Sequence, residues 1–298
     1  MTLVLCVMYF VVLAVLSAYG LHRFHLVMLV RRNRERIAAV APPRDADGQP
    51  LAPLPDDELP MVTIQLPIFN ESTVVERLIE TVSEMDYPRD KLHIQVLDDS
   101  TDETRRIAAD KVAELRDRGY LADYVHRVDR TGYKAGALDN GLDTAKGDLI
   151  GIFDADFLPR PDFARALVEH FRDPKVGMVQ ARWAHLNRDA SLLTKVQALM
   201  LDGHHMVENR ARYGAGLLFN FSGTGGMWRR QAIADAGGWQ HDTLTEDLDL
   251  SYRAQLAGWT FIYRPDVVSP AELPEDISAL RAQQYRWAKG TVQTARKL

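Results

Sequence analysis

Leu149-Ile150-Gly151-Ile152-Phe153 runs straight into Asp154-Ala155-Asp156. The apolar run, bounded by Gly147, predicts a short buried strand that ends by presenting two carboxylates two positions apart. At the carboxyl end of a strand in an open α/β sheet, such a pair faces the crevice where ligands bind. A hard divalent cation held by one or two carboxylates completes its shell with phosphate oxygens. Asp154 and Asp156 therefore read as a corner where a divalent cation meets a diphosphate. A solvated acidic turn is the plain alternative, and the surroundings have to decide.

Two earlier predicted strands also finish in acids, residues 62–66 before Glu71 and residues 92–97 before Asp98-Asp99. Glu71 and Asp98 suit hydrogen bonds to a base and a ribose, whereas Asp99 and Asp102 have helix capping as an equal alternative. Arg130 and Lys134, in the loop Arg130-Thr131-Gly132-Tyr133-Lys134-Ala135-Gly136, suit phosphate charge or a solvated basic turn. Thr245-Glu246-Asp247 opens a helix, where the dipole keeps a carboxylate ionised and ready to accept a proton. A sugar hydroxyl attacking an anomeric carbon needs such a base within hydrogen-bond reach. Asp247 is the candidate, with Glu246 beside it and Thr245 toward the acceptor; an ordinary acidic first turn is the alternative.

Gln283-Gln284-Tyr285-Arg286-Trp287 adds a third cluster. At helical spacing Gln283, Arg286 and Trp287 share one face. It offers amide donors, a guanidinium whose planar fork suits a diphosphate, and an indole that stacks on a pyranose or else anchors the helix to the core. His204, His205 and Glu208 imitate metal ligands on a helix, but without further ligands they read as structural or polar-face residues. Gly223-x-Gly225-Gly226 lacks the Lys-Ser/Thr of a phosphate loop and reads as a flexible loop admitting an acceptor. Trp183, Trp228, Trp239 and Trp259 read as core or cleft wall.

Strand and helix patterns alternate from residue 62 onward, which predicts an α/β fold with a mostly parallel sheet and crossover helices. Strands are expected at 62–66, 92–97, 124–128, 149–153, 176–183, 217–221 and 260–263. A long helix is expected over 191–212 and a last one over 277–289, with Ser100 and Glu103 as a capping box for the helix that ends at Gly119. The first half reads as nucleotide-binding and the second as acceptor-binding.

At 298 residues the chain holds one large α/β domain plus an accessory segment. A net charge of -5 excludes a general footprint for nucleic acid. The single cysteine, Cys6, excludes disulfides and a thiolate metal site. Residues 1–20 carry no charged side chain and are long enough to cross a hydrocarbon core of roughly 30 Å. Residues 21–30, with His22, Arg23 and His25, are expected to extend that helix along the headgroup layer. Arg31, Arg32, Arg34 and Arg36 follow, and positive flanks stay in the cytoplasm. The expectation is a single-pass anchor in the inner membrane with the remainder cytoplasmic; a cleaved signal peptide is the alternative. Residues 41–60, with six prolines and Asp45, Asp47, Asp56, Asp57 and Glu58, predict a solvated linker. The expected division is therefore 1–30, 31–60 and a catalytic domain over 61–298.

Taken together, Asp98-Asp99, Asp154-x-Asp156, Thr245-Glu246-Asp247 and Gln283-Gln284-x-Arg286-Trp287 resemble the motif set of inverting family 2 glycosyltransferases with a GT-A fold, in the cellulose-synthase-like branch. Val179-Gln180-Ala181-Arg182-Trp183, Phe219-Asn220-Phe221-Ser222-Gly223-Thr224, Ala236-Gly237-Gly238-Trp239 and Glu272-Leu273-Pro274 look like bacterial relatives of the plant mannan and xyloglucan-backbone synthases. The resemblance implies that Asp98 contacts the nucleoside with Glu71 near the base, and that Asp154 and Asp156 hold Mg2+ or Mn2+. It implies that Asp247 deprotonates the acceptor, that Gln283 and Arg286 grip the diphosphate, and that Trp287 stacks on the acceptor sugar. The implied donor is a UDP- or GDP-hexose, and the acceptor a glycan or a glycolipid. Non-processive transfer to a lipid, or a non-catalytic nucleotide-sugar sensor, are the alternatives. Asn220-Phe221-Ser222-Gly223-Thr224 departs from the Phe-Phe-Cys-Gly-Ser of cellulose synthases. The chain also stops at Leu298 without the membrane spans of processive relatives, as a truncated product or as an enzyme with no conduit of its own.

Overall fold

A computed structural model describes residues 2–38, 40, 43–44 and 48–298; Asp45 and Asp47 of the expected linker lie outside the described residues. Helix α1 (Thr2–Arg32) is followed by the short α2 (Arg34–Ala38). The domain then runs β1 (Val62–Ile68), α3 (Val75–Ser83), β2 (Leu92–Asp98), α4 (Thr104–Asp117), β3 (Leu121–His126), α5 (Tyr133–Leu142) and β4 (Leu149–Ile152). After α6 (Phe163–Val168) and a 3-10 turn (Glu169–Arg172) come β5 (Val176–His185) and α7 (Leu192–Gly203). A π turn (His204–Asn209) joins α7 to α8 (Arg210–Ala215). The chain closes with β6 (Gly226–Arg229), α9 (Arg230–Asp235), α10 (Glu246–Leu256), β7 (Thr260–Ala271) and α11 (Ile277–Lys297).

The sheet order is β3-β2-β1-β4-β6-β5-β7. Every pairing is parallel except those of β6 with β4 and β5. β1 and β2 are buried almost throughout, as central parallel strands covered on both faces must be. On one face Val75, Leu78, Ile79 and Val82 of α3 pack with α4 and α6 against Ile64, Leu66 and Ile94. Their i, i+3, i+4, i+7 spacing is why that segment is a helix with a single apolar stripe. On the other face Leu138, Ile233 and Leu250 of α5, α9 and α10 meet Ile150, Met178 and Trp228.

Chain order reverses between β1 and β4, and ligands of open α/β sheets bind at such a switch point, beyond the strands' carboxyl ends. Because β6 runs antiparallel to β4 with Gly226 opposite Ile152, the turn before β6 is delivered to the same end of the sheet.

Several expectations change. Residues 217–221 are not a strand. Phe219 and Phe221 alternate into the core, but α10 side chains satisfy their backbone: Gln255 Nε2 donates to the Phe219 carbonyl (2.8 Å) and the Phe221 N–H to Ser251 Oγ (2.8 Å). The expected box at Ser100 and Glu103 does not form. Ser100 Oγ accepts instead from the Asn70 N–H (2.8 Å), and Asp102 Oδ1 accepts from the Thr104 N–H (3.0 Å). Residues 21–30 continue α1 without a break, and within them Leu26 is buried and Arg23 Nη1 donates to Glu208 (3.3 Å). The linker is not simply solvated: Leu59 is buried, and the Leu54 N–H donates to Glu169 Oε1 (2.7 Å). Earlier in α1, the most apolar window has a mean hydropathy of 2.4 and is not buried in the domain, so this helix is long and apolar enough to cross a membrane.

Candidate active site

Four elements reach one end of the sheet. β4 ends one residue before Phe153 and delivers Asp154, and the loop after β3 delivers Lys134 at the start of α5. The turn before β6 supplies Gly223 and Thr224, and α10 begins with Glu246-Asp247. Lys134 Nζ donates to Asp154 Oδ1 and to the Gly223 carbonyl (2.9 Å). The Asp154 N–H donates to Thr224 Oγ1 (3.0 Å). Gly223 has φ +82°, and a side chain there would begin 3.1 Å from Asp247 Oδ2 and 3.7 Å from Lys134 Nζ. That position takes glycine both for its left-handed backbone and for the closeness of Asp247. One lysine thus ties the acidic strand end to the turn that faces Asp247.

The turn is fixed rather than flexible. Gln180 Oε1 accepts from the Ser222 N–H (2.9 Å), and Gln180 Nε2 donates to the carbonyls of Thr224 (3.1 Å) and Gly225 (3.0 Å). Sequence reasoning gave Gln180 no site role of its own. Its only signal was a polar residue inside an apolar strand. Such a residue, wholly buried, has to be hydrogen-bonded.

The electrostatics follow from crowding. Burial first, then the charge of Asp154, pushes the Asp156 carboxyl up to about 7. Burial first, then Glu246, pushes Asp247 up to about 7. Glu246 is raised by burial against the pull of Lys134 and Arg286, so the exposed Arg286 guanidinium lies within electrostatic reach of Glu246. Glu71 is raised by partial burial and then by Asp154 and Asp102, which puts it beside the Asp154–Asp156 corner. Burial lowers the Lys134 ammonium, but Asp154, Glu246 and Asp247 more than offset this and leave it raised.

Asp154, Asp156 and Glu71 crowd negative charge at one strand end, where the Lys134 ammonium meets Asp154. Among the described residues no group of three or more His, Cys, Asp or Glu side chains forms a metal cage. Asp154 and Asp156 match a divalent ion that takes its remaining ligands from diphosphate oxygens.

Asp98 is fully buried at the end of β2. Its oxygens accept from the Ser100 N–H (2.7 Å) and the Tyr124 hydroxyl (2.6 Å). Asp99 takes a two-pronged ion pair from Arg127 (2.8 and 2.6 Å). Arg130 stacks on Phe69, its guanidinium carbon 3.3 Å from the ring centroid.

Beside the corner a cavity of about 360 Å³ opens, within the range of small-ligand pockets. Asp247, Thr245, Gln283 and Trp287 line it, joined by Trp183, Ser222, His204 and His205. Asp154 and Asp156 are not among its walls, so the cavity lies on the Asp247 side of the strand ends. The Trp183 and Trp287 ring centroids are 6.5 Å apart. α11 comes this close because Gly290 is a glycine: a side chain there would begin 2.5 Å from Thr245 Cγ2. Thr245 holds the helix N-cap position, but its hydroxyl makes no cap bond and faces Thr294 Oγ1 at 3.4 Å. His204 and His205 came from a stretch read as structural or polar-face; a π turn carries them into the cavity wall.

Residues 60–290 match the family described as Glycosyltransferase like family 2. The probable glucomannan 4-beta-mannosyltransferase 7 of Oryza sativa subsp. japonica is 43% identical over 246 residues, covering 81% of this chain and 42% of that protein. Glucomannan 4-beta-mannosyltransferase 1 of the same plant is 41% identical over 261 residues, covering 83% of this chain and 50% of that protein. The chain thus spans about half the length of these curated relatives. Among solved structures, the mannosyltransferase PcManGT from Pyrobaculum calidifontis, in complex with GDP-Man and Mn2+, is similar at a TM-score of 0.70 and 27% identity, over 95% of this chain and 74% of that one. S. aureus TarS shares the fold, with a TM-score of 0.53 at 15% identity over 72% of this chain and 37% of that one. Sheet, crevice and sequence agree with the GT-A expectation, and the chain belongs to Glycosyltransferase like family 2.

Proposed function

We propose that the chain is a membrane-anchored, inverting hexosyltransferase that moves mannose from GDP-mannose onto the 4-hydroxyl of a β-linked glycan. The observation that carries this is the Lys134 bridge from Asp154 to the Gly223 carbonyl, against which Asp247 is packed at the mouth of a tryptophan-walled cavity. The mannosyl donor and the 4-linkage come from the relatives' activities, and UDP-glucose is the alternative donor. The apolar stretch of α1 and the arginines that follow it favour an anchored enzyme facing the cytoplasm.

The acceptor sugar lies in the cavity with its apolar face on Trp287 and its hydroxyl at Asp247. The hydroxyl oxygen attacks the anomeric carbon of an α-linked donor from the face opposite the diphosphate. The new C–O bond forms as the bond to the diphosphate oxygen breaks, the proton passes to Asp247, and the nucleoside diphosphate leaves with the electron pair. The product is a β-glycoside. Burial makes Asp247 a stronger base than an ordinary carboxylate. Lys134, Gln283 and Arg286 meet the charge that grows on the leaving group, where preformed donors lower the barrier most. Mg2+ or Mn2+ held by Asp154 and Asp156 supplies further charge neutralisation when bound.

The test incubates the chain in detergent with GDP-mannose, UDP-glucose and related donors, each with Mg2+, Mn2+ or EDTA and a β-linked oligosaccharide acceptor. Chain extension with GDP-mannose, lost in EDTA, is the expected result. Extension only with another donor corrects the sugar, and no extension with any donor removes the reading.

A further inference from the structure

The Arg130 guanidinium lies against two rings and makes no hydrogen bond among the described residues. Its central carbon is 3.3 Å from the Phe69 ring centroid and 5.1 Å from that of Tyr133. Nε is enclosed and unpartnered; Asp99 comes only to 3.9 Å and already takes both prongs of Arg127. The two Nη atoms are unpartnered as well, but unlike Nε they reach the surface of a side chain that is 36% exposed. The loop beneath them is fixed. Arg127 Nη1 and Nη2 donate to the carbonyls of Thr131 (3.3 Å) and Tyr133 (3.0 Å), and Asp129 Oδ1 accepts from the Thr131 N–H (2.9 Å). Tyr133 is held at φ +49°, uncommon for a bulky side chain.

The place of this guanidinium follows from the sheet. Phe69 follows β1, Asp99 follows β2 and Arg130 follows β3, so Arg130 stands over the carboxyl ends of these three strands. Lys134, four residues on, meets Asp154 at the end of β4. In the order β3-β2-β1-β4, β2 lies two strand spacings from β4, about 10 Å. The cavity with Asp247 is walled by Trp183 of β5 and Ser222 before β6, on the other side of β4. A diphosphate at the Asp154 corner therefore has its nucleoside on the side of Arg130. The acids there are engaged: Asp98 is fully buried with both oxygens hydrogen-bonded, and Asp99 is paired with Arg127. What stays free is a planar pair of donors.

We infer that Arg130 selects the base of the donor: its Nη edge donates to O6 and N7 of guanine, so that guanosine donors are held in preference to uridine donors. Guanine shows these two acceptors side by side, the pattern an arginine fork meets in pairs. Uracil offers no such pair, because an N–H separates its two carbonyls. Stacking on Phe69 and Tyr133 fixes the plane of the fork before the base arrives, which lowers the ordering cost of binding. The inference rests on the glycosyltransferase reading of the site and adds a specificity-determining residue to it; no bond is made or broken at Arg130.

The experiment titrates the full chain in detergent, with Mn2+, against four nucleotides by calorimetry. They are GDP, 7-deaza-GDP (a C–H in place of N7), inosine diphosphate (no amino group, O6 and N7 kept) and UDP. For the wild type, 7-deaza-GDP is expected to bind roughly tenfold more weakly than GDP, and inosine diphosphate to stay close to GDP. Arg130→Lys keeps the charge and removes the fork. It should bring GDP down to the level of 7-deaza-GDP and leave UDP unchanged. A wild type that binds GDP and 7-deaza-GDP alike overturns the inference without any variant, as does one that holds UDP more tightly than GDP. An Arg130→Lys protein that weakens GDP and UDP by the same factor also overturns it, since that is the mark of a phosphate contact. These outcomes leave the glycosyltransferase reading standing; a wild type that binds no nucleoside diphosphate removes that reading and the inference with it.

Discussion

At the scale of single residues the site depends on keeping acids close together. Asp247 sits against Gly223 and beside Glu246, and its carboxyl holds its proton up to about 7. Below that pH the base is protonated and idle, so kcat/KM should climb with pH through an ascending limb near 7. Asp247→Asn should remove that limb and cut kcat about 10²- to 10⁴-fold, with nucleotide-sugar binding retained in a calorimetric titration. A folded variant with wild-type turnover would exclude Asp247 as the base. The same shift bears on stability. The folded chain binds this proton more tightly than the unfolded chain, so the contribution is whole below 3.8 and is lost as pH rises through about 7. Metal-free wild type should therefore lose melting temperature between pH 4.5 and 7.5 more steeply than Asp247→Asn does. Asp156 answers to a different partner. Asp156→Ala should weaken cation-dependent donor binding at least about tenfold, since one of two charged ligands is gone. Unchanged donor affinity with and without Mn2+ would place the cation elsewhere.

Among the elements, α11 positions most and is the easiest to displace. Gly290 lets it rest on the Thr245 turn, and its amino-terminal half then presents Gln283, Arg286 and Trp287 to the site. Gly290→Ala favours the isolated helix, by roughly 0.8–1 kcal/mol. Here, however, it drives a methyl group to within 2.5 Å of Thr245. The expected outcome is a folded protein with kcat/KM down by more than about tenfold, read by initial rates alongside circular dichroism; wild-type rates would show that α11 is free to shift. The sequence carries this glycine but not its reason, because a close approach is a property of two elements. The same limit accounts for what was legible. Central strands and α3 declare themselves, since buried parallel strands are runs of apolar residues and one-sided helices repeat every three to four. Asp154, Asp156 and Asp247 stand out as acids at element ends. β6 is four residues long, and Gly226 at its start looks like loop. Phe219 and Phe221 imitate a strand while α10 supplies their hydrogen bonds. His205 enters the cavity wall through a π turn, whose extra width no helical periodicity announces.

For the whole molecule the decisive relation is between the first helix and the catalytic domain. The exposed apolar side chains of α1, from Leu3 to Tyr19, face away from the domain, whereas Leu26 is buried and α8 packs beside it. At that lower end Arg23 pairs with Glu208 (3.3 Å), Glu208 contacts His204 Nδ1 (3.4 Å), and His204 lines the acceptor cavity. The hydrogen bond from His204 is the largest cause holding Glu208 down at about 2. α2 extends the contact, with Ile37 buried and packed where Gly214 of α8 leaves room. α1 is thus two parts in one helix, a stretch long and apolar enough for a bilayer and a stretch that packs against α8 and the π turn. Cutting the chain separates them. Deleting residues 2–18 keeps Tyr19, whose hydroxyl accepts from Arg23 Nε (2.9 Å), removes only exposed apolar surface, and should keep acceptor KM and folding stability within about 0.5 kcal/mol of the full chain. Deleting residues 2–38 uncovers the Leu26 and Ile37 contacts, about 1.5–3 kcal/mol for each buried side chain, and frees Glu208 from Arg23. That shorter protein should melt at a lower temperature and show a higher acceptor KM, while its donor KM holds. Equal acceptor KM values for the two truncations would mean that α1 is a tether alone and that the π turn keeps its shape without it.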